Sequence, residues 1–193
     1  SSAADPERAP GMQAYMKSRM PYLGVPALLM RDACKEVFTE ENLEGAKEWR
    51  DTCLALWRKA KHREVRYAAI ELTGWRPYRA HWDRDAMPMF EEMIVDGAWW
   101  DYVDAIASNR VGPILRRFPG PMKKSMRRWS KSKDMWRRRT SILCQLRFEE
   151  ETDLDLLYDC IEPSIGSNEF FLRKAIGWAL RELAKTNPRE GAL

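Results

Sequence analysis

Residues 99–104 read Trp-Trp-Asp-Tyr-Val-Asp, two indoles and two carboxylates within six positions of a chain that holds nine tryptophans. On a helix, Trp100 and Asp104 are four apart and share a face. Trp99 and Val103 then share the next face, about a hundred degrees round per residue. One side can be core, as expected for Trp99 and Val103, while the other sets an aromatic ring beside the Asp104 carboxylate. Such a pair can stabilise a cationic, sugar-like transition state, because a fixed negative charge is aimed at developing positive charge. Taken singly, each residue also has a plainer reading. Asp104 can be a solvent-facing helix residue, Trp100 can be core, and Asp101 suits a local hydrogen bond or solvent.

Other chemistries have less support. The chain has no Gly-rich phosphate loop, no GxSxG and no HExxH. Its two histidines, His62 and His81, lack neighbours that would make either a general base. Cys34, Cys53, Cys144 and Cys160 are far apart and none is near a histidine, so neither a zinc site nor a CxxC pair is expected. Reduced, mostly buried thiols are the expectation. Neither a metal nor a cofactor is called for.

A carboxylate that works on a charged polymer needs a surface to hold it. The formal net charge is only +4, yet residues 116–139 carry eleven Lys and Arg against one acid, Asp134. Acids concentrate elsewhere, at 40–48 and 149–155. Met126, Trp129, Met135 and Trp136 interrupt the basic run at core-like spacing. The helices there are expected to bury one side and offer cations on the other, a plausible phosphate-binding surface rather than merely a solvated face.

The elements that position these groups all read as helical. Helices are expected over about 12–20, 26–38, 40–57, 64–72, 85–95, 98–108, 111–117, 121–130, 132–148, 153–161 and 168–185. Breaks fall at Pro21, Gly74, Gly97, Pro119-Gly120, Pro163 and Asn187-Pro188. Ala46, Trp49, Cys53, Leu54 and Trp57 form one apolar stripe. No segment of suitable length alternates apolar and polar residues, so no sheet is expected. Ten or so helices with short loops make an all-α fold, either an α-solenoid of stacked antiparallel pairs or an irregular bundle; periodicity alone leaves both open. At 193 residues the chain suits one domain over 12–188, with residues 1–11 a disordered leader or appended end and 189–193 a tail. No apolar run reaches membrane-spanning length and no signal-peptide core is visible.

Four segments together resemble the bacterial DNA alkylation-repair glycosylases of the AlkD type, a HEAT-like repeat family. They are MQAYMKSRMPYLGV at 12–25, WWDYVDAIASNRVG at 99–112, MWRRRTSILCQLRF at 135–148 and EFFLRKAIGWALRELAKTNP at 169–188. Their order and spacing match across nearly the whole chain. The resemblance implies an α-solenoid whose concave basic face holds duplex DNA. It implies hydrolysis of the N-glycosidic bond of cationic alkylated purines such as 7-methylguanine and 3-methyladenine, without base flipping, by a monomer working in the bacterial cytoplasm on the nucleoid. Asp104 matches the catalytic aspartate, Trp100 and Trp178 the paired sugar-contacting tryptophans, and Arg139 the arginine that supports site and DNA backbone. Tyr15 and the pair Phe170 and Phe171 match further aromatics. The expected DNA contacts are Tyr15, Lys123, Lys124, Arg127, Arg138, Arg139, Phe170 and Arg173.

A ring-methylated purine is already cationic and leaves without being protonated, so the lack of a histidine or acid partner is no obstacle. Asp104 would stabilise the oxocarbenium character and position water. The indoles would pack their negative faces on the sugar. Two other classes compete: a non-catalytic HEAT-like protein that binds damaged or branched DNA, and a protein-interaction scaffold. Freed base separates the first reading from the second, and DNA retention separates the second from the third.

Overall fold

A computed structural model describes residues 3–187 of the chain, all α-helix, short 3-10 or π-helical turns and loops, with no strand among them. The expected tail 189–193, Pro188 and the first two residues of the expected leader lie outside the described residues. The chain divides into two compact units, Ser1–His81 and Trp82–Leu193.

The first unit holds α1 (Ala9–Tyr15), α2 (Ala27–Glu40), α3 (Gly45–Lys59), α4 (Arg63–Thr73) and a 3-10 turn, Arg76–His81. α4 packs on both α2 and α3. Trp49, Cys53 and Trp57 repeat every four residues along α3 and are fully buried, as the apolar stripe required. Removing either indole would cost about 3–5 kcal/mol. The connector before α2 is extended, so its amides need partners outside a helix. The buried Glu64 carboxylate supplies them, accepting from the amides of Leu23 (3.0 Å), Gly24 (2.9 Å) and Val25 (3.2 Å). Gly24 has φ +81°, and a β-carbon there would collide with the Asp5 carbonyl. The Asp5 amide also donates to Leu23 O at 2.9 Å, so part of the expected leader is tied to the connector.

The second unit holds α5 (Met87–Gly97), α6 (Trp100–Ile106), α7 (Gly112–Arg117), α8 (Pro119–Ser130), α9 (Met135–Leu143), α10 (Leu154–Ile161) and α11 (Phe170–Thr186). α9 is its hub: α5, α6, α8, α10 and α11 all pack on it. α8 in turn packs on α7 and α10. Ile142, Leu143, Leu157, Ile161, Leu172, Ala175, Ala179 and Leu183 bury the seam of α9, α10 and α11.

Two departures from the expected helices fall beside the opening stretch. The helix expected from residue 98 begins at Trp100, because Ala98 is left-handed (φ 42°) and ends α5, while Trp99 is extended. Past Ile106 the helix widens into a π-helical turn, Ala107–Val111, before Pro113. Proline has no amide to give the carbonyl four residues earlier, and its ring crowds that turn. The carbonyl so deprived, Asn109 O, accepts from Arg110 Nη1 at 3.0 Å. The helix expected over 132–148 begins only at Met135, where Asp134 caps it, accepting from the Arg137 amide at 2.8 Å, and it ends at Leu143.

Candidate active site around Asp104 and Arg139

α6 and α9 pack side by side, and across that contact Arg139 reaches Asp104. Arg139 Nε donates to Oδ1 and Nη2 to Oδ2, each at 2.7 Å, a two-pronged pairing that fixes the carboxylate in plane and direction. A third donor, Nη1, goes to the Phe171 carbonyl at the start of α11. The Asp104 side chain is 12% exposed and that of Arg139 5%. Arg139, expected at the DNA surface, is thus buried with its donors engaged by protein. Burial pushes the Asp104 carboxyl above its ordinary value; the Arg139 hydrogen bonds and charge pull it down, and Asp101 raises it slightly.

Trp100, Asp104 and Ser108 succeed one another at four-residue intervals, so the expected pairing of indole and carboxylate on one face is present. Trp100 is half-buried. Ser108 Oγ donates to the Asp104 carbonyl at 2.8 Å. Ser108 also lines a cavity of about 470 Å³ with Gln145, Arg147, Trp178 and Glu182. Trp178 is therefore brought to the turn that follows Asp104, from two turns along α11. The indole of Trp178 hydrogen-bonds Glu182, whose carboxyl is held low by Lys185 first and by this bond as well.

Val103 is fully buried, as expected, but Trp99 is only half-buried and packs among rings. Its centroid lies 5.4 Å from Phe171 and 6.4 Å from Trp136, and Phe171 lies 5.1 Å from Trp136. The Arg139 guanidinium sits 5.8 Å from the Phe171 ring. Phe170 is exposed, with Lys174 Nζ 5.6 Å from its ring, and Arg173 is exposed on the next turn.

The basic run has fewer free cations than its sequence suggested. Arg116 pairs with Glu151 at 2.7 Å, Lys123 with Asp153, Arg127 with Asp159 at 2.6 Å and Arg137 with Glu91 at 2.8 Å. Lys123 and the Leu156 amide hold the Asp153 carboxyl low. Arg138 braces the turn before α11, donating to Pro163 O and Ser164 Oγ at 3.0 Å. Lys124, Arg128, Lys131 and Lys133 are exposed. α8, which carries Lys123, Lys124 and Arg127, packs on α7, α9 and α10, whereas Asp104 and Trp178 come from α6 and α11. Tyr15 is exposed in the first unit.

Sequence reasoning missed Gly112. A β-carbon there would collide with the Cys144 carbonyl, so glycine lets the Asp104-bearing segment lie against α9. It also missed Trp99 and Trp136 as ring neighbours of Phe171, whose ring and carbonyl face Arg139. Their only signal was the recurrence of aromatics in all four quoted segments. The four cysteines are buried and none forms a disulfide, and burial pushes the Cys34 thiol to about 11 and Cys160 to about 12. These two thiols, and the fully buried Cys144 with them, stay protonated and unreactive at neutral pH. No helix among the described residues is long and apolar enough to cross a membrane.

A solved structure described as a predicted DNA alkylation repair enzyme from Enterococcus faecalis is similar over 98% of this chain and 87% of its own, with a TM-score of 0.87 and 30% identity. No curated protein matches the chain. The model of the DNA alkylation repair enzyme family matches residues 1–191. By that match the chain belongs to the DNA alkylation repair enzyme family.

Proposed function

We propose that this family member is a monofunctional DNA glycosylase of the AlkD type. It hydrolyses the N-glycosidic bond of cationic alkylated purines, such as 7-methylguanine and 3-methyladenine, in duplex DNA and without base flipping. The observation that carries the reading is the Asp104 carboxylate, gripped in plane by Arg139 on the same helix face as Trp100. Arg139 offsets part of the burial cost of a charge there and aims the carboxylate, whose anionic form is the working one in this reading. It needs to give no proton, because the leaving base is already positive. As the bond lengthens, positive charge moves onto the deoxyribose. Asp104 then stabilises that charge and orients the water that adds to C1′. Trp100 and Trp178 offer indole faces to the sugar.

DNA contacts are assigned to the side chains near this site, Phe170 and Arg173 on α11, and to Tyr15 in the first unit. Arg139 supports the site from within. Lys123, Arg127 and Arg138 are engaged by protein groups and contribute little to phosphate binding in this reading.

The test is chromatography of bases released from methylated duplex DNA. Free 7-methylguanine or 3-methyladenine is expected from the native protein, and almost none from Asp104→Asn, which still binds DNA. One observation favours a binding-only relative: both Asp104 oxygens already accept from Arg139, at 12% exposure. DNA retention with no freed base would establish that second reading.

A further inference from the structure

Arg139 is gripped from one side by Asp104 and from another by Phe171, and Phe171 in turn packs on rings from two further elements. Trp99 lies at the N-terminal boundary of α6, five residues before Asp104. Trp136 lies on α9, three residues before Arg139. Phe171 lies in the first turn of α11, seven residues before Trp178. The three rings meet in one cluster, with centroids 5.1–6.4 Å apart. The Trp99–Phe171 contact is edge-on, at 69°. Phe171 also offers its carbonyl and its ring to the guanidinium. Aromatic pairs at these distances favour particular mutual angles, so the cluster resists rotation of any one ring.

The Trp99 indole N–H is buried and has no hydrogen-bond acceptor. A buried donor usually finds a partner, and leaving one without carries a penalty. A phenylalanine at this position would avoid that penalty and keep a ring. The larger indole is retained in a place where its polar atom gains nothing. What it supplies is area: it spans to both Trp136 and Phe171.

We infer that the Trp99–Trp136–Phe171 cluster is a positioning device that locks the Arg139 guanidinium, and through it Asp104, to the start of α11. The three rings are positioning residues, since none touches the Asp104 carboxylate in the contacts described. The inference rests on the proposed glycosylase reading for its kinetic consequence, but the lock on Arg139 stands on geometry alone. Loss of the Trp99 ring leaves Phe171 packed edge-on by Phe170 alone, a neighbour on its own helix that cannot tie α11 to α6. The α11 start can then shift against α9, and Arg139 follows the Phe171 carbonyl. A displacement of the reacting geometry by about 1 Å can lower a rate about a hundredfold.

The experiment compares Trp99→Leu and Trp99→Phe with the native protein. Single-turnover base release, DNA affinity and the titration of the Asp104 carboxyl carbon by NMR are followed in each. Arg139 and Asp101 are the charged groups that face this carboxyl. Trp99→Leu is expected to slow release about 10- to 100-fold with affinity within about twofold. It is also expected to move the Asp104 titration upward, as the guanidinium loosens. Trp99→Phe, which keeps a ring of smaller area, is expected to fall between native and Trp99→Leu in both rate and titration, an ordering by ring area that a loss of bulk stability would not predict. An unchanged Asp104 titration in Trp99→Leu overturns the proposal, as does a rate that falls only in proportion to the folded fraction. If the native protein frees no base, the glycosylase reading fails, and the Asp104 titration decides the positioning role by itself. Should Trp99→Leu not fold, Phe171→Leu, which keeps the carbonyl and removes the ring, is read in the same way.

Discussion

The backbone of Gly112 lies against the Cys144 carbonyl so closely that a β-carbon on residue 112 would overlap it. The contact joins the segment that follows Asp104 to the end of the helix that carries Arg139. Helix separation here is set by a missing side chain. The obstacle is backbone, which cannot swing aside as a flexible side chain would. Gly112→Ala is therefore expected to destabilise the fold by about 1–3 kcal/mol, the usual cost of overpacking. It is also expected to lengthen the bridge and slow base release in the folded fraction. Denaturant unfolding with release kinetics checks both. A stable, fully active Ala variant would show that the helices separate here at no cost.

Arg139 and Asp104 should behave as one unit. Arg139→Ala leaves a carboxylate in a site with little solvent and no counter-charge, which typically costs about 3–5 kcal/mol. Arg139→Lys keeps the charge but not the planar fork, so it cannot serve both oxygens and the Phe171 carbonyl together. It is expected to fold and to release base slowly. Because Arg139 is buried, neither variant should change the salt dependence of DNA binding by a full phosphate contact, about 0.9 in logarithmic slope. Binding measured from 50 to 200 mM salt checks this. A slope reduced by about one in Arg139→Lys would put the guanidinium on a phosphate.

The all-helical fold was legible because apolar spacing repeats every three or four residues along most of the chain. Trp49, Cys53 and Trp57 show how directly that spacing became burial. The shared face of Trp100 and Asp104 was legible for the same reason. Local periodicity carries no information about which distant groups meet, so the partners of the basic run were not legible. Lys123 finds Asp153 and Arg127 finds Asp159 through the packing of α8 on α10, and sequence distance hides both. Phe171 was hidden in another way, since its carbonyl is common to every residue type. Gly112 carried no mark in sequence that separated it from a helix breaker.

Acidification should switch off Asp104. Burial raises its carboxyl above the ordinary value near 3.9, despite Arg139. If the anion is the working form, release is expected to fall as pH drops through that raised value, tenfold per unit below it. Stability has the opposite sign. The folded state binds the proton more tightly than the unfolded state, so this group's stabilising contribution is complete below the unfolded value. It is lost as pH rises through the folded one. The stability of the native protein relative to Asp104→Asn should therefore decline as pH rises across this window. Denaturant midpoints of both proteins at closely spaced pH values check the slope. A relative stability that climbs across it would mean that Arg139 outweighs burial.

DNA should feel α11 more than α8. Lys123 and Arg127 are paired with Asp153 and Asp159, so a phosphate must compete with a carboxylate for each. Arg173 is exposed one turn from Phe170, at the helix start whose Phe171 carbonyl holds Arg139. No carboxylate competes with phosphate for it in the contacts described above. Arg173→Ala is expected to lower the logarithmic salt slope by about 0.9, the value of one released counterion. The double change Lys123→Ala with Arg127→Ala should lower it by much less than the roughly 1.8 that two phosphate contacts would give. Both changes leave acids exposed on α10, so a small general weakening is expected at low salt, fading as screening increases. Titration of a labelled duplex at several salt concentrations separates the cases. A full loss of two contacts in the α8 double variant, with Arg173→Ala unchanged, would move the DNA path from α11 to the layer of α7, α8 and α10.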